Sequence, residues 1–111
     1  MSQKILKRID KGTISQKSSH KVYFGPFQFE IDLDLQKSEI ELTCKFLNMM
    51  AFDCKFDKKE IKFQRTMNLI IFSCLFDCDA DFDKECQLRC TITPCFLKVL
   101  CKKINLILIK W

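Results

Sequence analysis

Phe27-Gln28-Phe29-Glu30-Ile31-Asp32-Leu33-Asp34-Leu35 is the stretch that decides the fold. Apolar residues take every odd position and polar residues every even one, the two-residue period of a strand with one face on a core and the other in water. Gln36-Lys37-Ser38 supplies a short polar turn. Beyond it Ile40, Leu42, Cys44 and Phe46 alternate with Glu39, Glu41, Thr43 and Lys45. Two such runs across a short link read as an antiparallel hairpin.

Working towards the C-terminus, Leu47 to Ala51 reads as a loop crossing a sheet edge, and Phe52, Cys54 and Phe56 then resume the alternation. A polar turn at Asp57-Lys58-Lys59 leads into Ile61 and Phe63. Met67 to Phe76 is apolar at nearly every position, which suits a strand covered on both faces or a buried helix turn; Ile70-Ile71-Phe72 favours the strand. Cys78, Ala80 and Phe82 continue the pattern, as do Cys86, Leu88, Cys90 and Ile92, and Pro94 is expected to end that strand because it cannot donate to a ladder. Cys95 to Cys101 reads as a strand or a two-turn helix, and Ile104 to Trp111 as a closing strand. These elements predict a mostly β protein, an antiparallel β-sandwich of about six to eight strands.

Working towards the N-terminus, residues 1 to 19 show no period and read as a flexible basic arm, leaving residues 20 to 111 as a single sandwich domain. The whole chain has 111 residues, room for one core. Its net charge of +5 is unevenly placed. Residues 1 to 21 hold six Lys or Arg against Asp10 alone, residues 95 to 111 hold four Lys and no acid, and the stretch between them is net acidic. Met1 to Asp10 is not followed by the apolar run of a signal peptide, and no apolar run approaches the roughly 20 residues that cross a bilayer. The expected compartment is therefore intracellular, cytoplasmic or nuclear, where thiols stay reduced.

The eight cysteines are the first candidates for chemistry. Cys74/Cys78 and Cys86/Cys90 are C-x3-C pairs that invite a zinc reading, yet residues four apart on a strand stand roughly 13 Å apart, and two thiolates on one zinc must lie within about 4 Å. Cys44, Cys54, Cys78, Cys86 and Cys90 each fall on the apolar side of their own alternation, so the expectation is eight reduced cysteines that pack as small hydrophobes. Asp77, Asp79, Asp81 and Asp83 resemble the opening of a calcium loop, but Phe82 and Leu88 stand where the loop needs Gly and Glu. A solvated row of carboxylates, relieved by a basic partner or by the chain's own basic tail, is preferred. His20 is the lone histidine and the only base on which a Cys-His or Ser-His nucleophile could be built. The expectation is no enzyme, no catalytic residue, no cofactor and no metal.

His20 to Leu35, then Ser38 to Cys44, then Phe52-Asp53-Cys54-Lys55-Phe56 resemble the central part of a MATH (TRAF-like) domain of the divergent nematode type found beside BTB domains, over residues 20 to 63. Phe27 and Phe52 stand where that family usually has Trp. The resemblance implies an antiparallel sandwich that binds extended peptides in a shallow groove, often recruiting substrates to a ubiquitin ligase. The leading expectation is a non-catalytic protein-protein interaction module whose partner is another protein or an extended peptide. The alternative is a charge-driven module using Lys4, Lys7, Arg8, Lys11, Lys17 and Lys21 on nucleic acid or an anionic membrane.

Overall fold

The computed structural model describes residues 4–9 and 17–111, and the described residues contain strands and turns but no helix. The strands are β1 (Lys4–Ile5), β2 (Lys17–Phe24), β3 (Phe27–Asp34), β4 (Glu39–Phe46), β5 (Met49–Phe56), β6 (Lys62–Asn68), β7 (Phe72–Asp81), β8 (Gln87–Phe96), β9 (Leu100–Cys101) and β10 (Ile104–Lys110). One sheet runs β2-β3-β4-β5; the other runs β1-β10-β8-β7-β6, with β9 added on β8. Among the described strands only β1 and β10 pair in parallel, a pairing that an isolated Arg8–Lys110 bridge continues. The expected antiparallel β-sandwich is the fold. Two of the ten strands among the described residues are only two residues long, too short to show a period in sequence.

Side-chain parity builds the core. Phe27, Phe29, Ile31 and Leu33 of β3 are buried and sit opposite Phe46, Cys44, Leu42 and Ile40 of β4. The sheets meet through aromatic rings: Phe76 on β7 lies 5.7 Å from Phe27 and 4.9 Å from Phe52, and Phe46 stacks on Phe72 at 5.2 Å. On β10 a bulge at Leu108 inserts an unpaired residue, so Leu106, Leu108 and Ile109 all reach the core. No helix of the described residues is long and apolar enough to cross a membrane.

Several expectations need correction. Residues 4 to 9 of the expected flexible arm are laid along β10, with Leu6 N donating to Ile107 O and Ile9 N to Lys110 O. β2 begins at Lys17, three residues before the expected start of the domain at His20, because Lys17, Ser18 and Ser19 extend the ladder with Asp34, Leu33 and Asp32. The rest of the expected arm, residues 1–3 and 10–16, lies outside the described residues. The expected loop at Leu47 to Ala51 is a two-residue hairpin turn, Leu47-Asn48, with both residues at positive φ. The apolar run Met67 to Phe76 is not one element: β6 ends at Asn68, Leu69 to Ile71 turn the chain, and β7 starts at Phe72.

Pro94 does not end β8, which continues to Phe96. Its carbonyl accepts from Lys102 N at 3.1 Å. The amide it lacks would point the same way, into the gap between the last β10 pair at Ile92 and the first β9 pair at Cys95. A proline is tolerated where no acceptor waits for it.

Candidate functional site

The cysteines come first. Cys44, Cys74, Cys78 and Cys90 are buried and Cys54 and Cys86 half-buried, in keeping with their packing role. Burial pushes the Cys54 and Cys74 thiols up to about 12, and Cys44 and Cys78 are raised as well. For Cys78 the leading cause is its hydrogen bond to Cys90, 2.7 Å away across β7 and β8. The fold thus pairs Cys78 with Cys90, and among the described residues no group of three or more Cys, His, Asp or Glu is arranged to hold a metal.

Eight reduced cysteines is the wrong count. Cys95 and Cys101 are joined by a disulfide. They are directly opposed in the β8-β9 ladder, a neighbour relation that strand parity could not supply while β9 was hidden. A disulfide closing so short a loop is worth about 2 kcal/mol by the chain-entropy relation. Cys101→Ser is expected to lower unfolding stability by that amount or less, and reduction of the wild type should add about 2 Da to its intact mass, one hydrogen per sulfur. An unchanged mass and stability would mean that the two sulfurs are not bonded in solution.

The aspartate row is solvated and structurally employed. Arg89 donates from Nε and Nη2 to both oxygens of Asp79, at 2.9 and 2.6 Å. Asp81 accepts from the backbone amides of Lys84, Asp83 and Glu85, and those amides, Lys84 first, hold its carboxyl below the usual range. Asp57 does the same for the turn after β5. On the outer face of the four-stranded sheet, Asp32, Asp34, Glu39 and Glu41 line a shallow depression of about 240 Å³ among Lys17, Lys37 and Lys55. Ser19 and Lys55 answer Asp32 and Glu39.

His20 Nε2 lies 2.8 Å from Ser18 Oγ. Burial lowers its pKa, and Lys7 lowers it further. Among the described residues the carboxylate that favours its protonated form is Asp32, which is hydrogen-bonded by Ser19 Oγ. The Ser-His contact is therefore a dyad without the orienting acid of a nucleophile triad.

What the sequence reading missed lies at one end of the sandwich. Four connections meet there: Gly25-Pro26, Leu47-Asn48, Leu69 to Ile71, and Leu97 to Val99. They touch one another, with Leu47 N donating to Pro26 O and Leu97 N to Ile71 O. Eleven of the twelve large apolar side chains exposed among the described residues lie in or beside these turns; the exception is Ile61, at the opposite end. Ile70 is 98% exposed and Val99 75%.

Backbone conformation sharpens the point. Gly25, at φ 56°, is a normal first residue for the tight β2-β3 turn. Leu47 (φ 49°) and Leu97 (φ 55°) are not normal: each is a leucine in the left-handed region opening a hairpin turn, two residues long at Leu47-Asn48 and three at Leu97 to Val99, where Asn or Gly is the unstrained choice. Both leucines point into solvent, so burial does not offset the strain. The signal was present in the sequence, as apolar residues in places where the chain had to reverse, but it was legible only once the strand ends were known.

The charges at the two ends differ. The four apical connections together with Leu100 to Lys103 contain Lys98, Lys102 and Lys103 and no acid. The opposite end, at residues 35–38, 57–61 and 82–86, carries Asp57, Glu60, Asp83 and Glu85 against four lysines. Lys4 adds a further cation at the apical end, 5.8 Å from the Phe24 ring centroid. Comparison of the chain with protein-family models, with curated proteins and with solved structures finds no match.

Proposed function

We propose that the protein is a non-catalytic interaction module that docks onto another macromolecular surface through its apolar end. The observation that carries this reading is the gathering of eleven exposed apolar side chains on four adjoining turns. Patches of this kind on a folded domain mark interaction sites. The two strained leucines support it, since strain persists where function selects it. The MATH resemblance over residues 20 to 63 points to the same class of function. The basic arm offers less to a nucleic acid, because Lys4 to Ile9 are laid along β10.

Leu97→Asn separates the docking reading from a structural one. Asn accepts the left-handed conformation, so the variant should be more stable than wild type by about 1 kcal/mol. It should also lose material, protein or membrane, that wild type retains from a cell extract. Lower stability with unchanged retention would show that Leu97 serves the fold and would remove the docking reading.

A further inference from the structure

The apolar end meets a partner of identifiable chemistry, and we infer that this partner is the surface of an anionic lipid bilayer, an inference that rests on the docking reading above. Three observations select it. The apolar side chains stand on convex tips: Ile70 on the β6-β7 turn, Leu47 on the β4-β5 turn, and Leu97 and Val99 on the β8-β9 turn. A folded protein partner would need a matching hollow for each tip, whereas a bilayer interface yields around all of them at once. Apolar tips of this sort can bury in the boundary between headgroups and acyl chains.

The second observation is charge. Lys98, Lys102 and Lys103 are exposed beside the tips, and the apical connections hold no acid to neutralise them or to repel a lipid phosphate. Each lysine close to an anionic leaflet raises affinity about fivefold. The third is rigidity. The Cys95–Cys101 disulfide closes the β8-β9 hairpin at its base, and Leu97 N is held on Ile71 O at 2.7 Å, so two of the tips move as one unit. Less ordering is then required on contact. The apical turns are basic without an acid, whereas the far end balances its four acids with four lysines, a difference that orients the molecule with its apolar, basic end towards the membrane.

The full chain should be sedimented with vesicles of phosphatidylcholine alone and of phosphatidylcholine mixed with phosphatidylserine. Wild type should bind the phosphatidylserine vesicles and release as salt is raised. Ile70→Asp and Val99→Asp, both at exposed tips, should keep the circular dichroism of the fold and each lower affinity about tenfold or more. The pair Lys102→Glu and Lys103→Glu should lower it by at least as much. Binding lost with the lysine variants but untouched by Ile70→Asp and Val99→Asp would overturn insertion of the tips. Absence of vesicle binding by wild type would overturn the lipid assignment. If, in that case, wild type self-associates or holds a protein and Ile70→Asp abolishes this, the docking reading stands while its lipid partner falls.

Discussion

Phe76→Ala is expected to lower the unfolding free energy by about 3 to 5 kcal/mol, the usual cost of emptying a phenylalanine site in a core. Phe76 has no exposed surface, and its ring touches Phe27 and Phe52 on the facing sheet. Removing it opens a void where the two sheets are joined. A domain of this size has about 5 to 15 kcal/mol in total, so the loss removes a large share of its stability. Urea unfolding reads the effect as a lowered midpoint with the slope unchanged. A loss below about 1 kcal/mol would mean that the sheets do not pack through this ring.

The second large effect concerns the thiols. With Cys54 and Cys74 pushed up to about 12 and Cys44 and Cys78 also raised, the folded protein keeps these four protonated at pH 8. Only thiolate attacks a disulfide reagent, so their native reaction should be on the order of a thousandfold slower than that of an unfolded thiol of ordinary value near 8.5. Unfolding without reduction should release six thiols, and reduction should bring the total to eight. A count of four without reduction would mean that Cys78 and Cys90 are bonded too.

The same shift makes stability depend on pH. Below about 8.5 both folded and unfolded chains hold the thiol protons, and the contribution of the buried thiols is fully present. Above that value the unfolded chain gives up protons that the folded chain keeps, so stability falls as pH rises, by about 1.4 kcal/mol per unit for each such thiol. The fall continues until the pH reaches the folded values. Four such thiols make alkaline unfolding steep between about pH 9 and pH 11. Replacing Cys44 by Ala should flatten the curve measurably, while a pH profile unchanged in that variant would refute the linkage.

Legibility of the fold tracked how local its causes were. The inward faces of β3 and β4 could be read residue by residue, because side-chain parity needs only the chain's own period. Met67 to Phe76 misled for the same reason: apolar content and β-branched residues favour strand, and nothing nearby announces that the chain must turn at Leu69 to Ile71. Pro94 misled because its tolerance depends on where β9 and β10 leave a gap in the ladder. The candidate site was the least legible part. Tyr23, Leu47, Ile70 and Val99 lie far apart in sequence and become one surface only through sheet register.

The sequence by itself determined that the protein is an antiparallel sandwich and which side of β3, β4, β5, β7 and β8 faces the core, since alternation and burial are set by neighbours one and two residues away. The tertiary structure alone decided that Cys95 meets Cys101, that residues 4 to 9 lie along β10, and that the exposed apolar turns share one end with unopposed lysines. Those outcomes depend on which strand ends are brought together in space, a relation between distant segments that the period of any single segment does not contain.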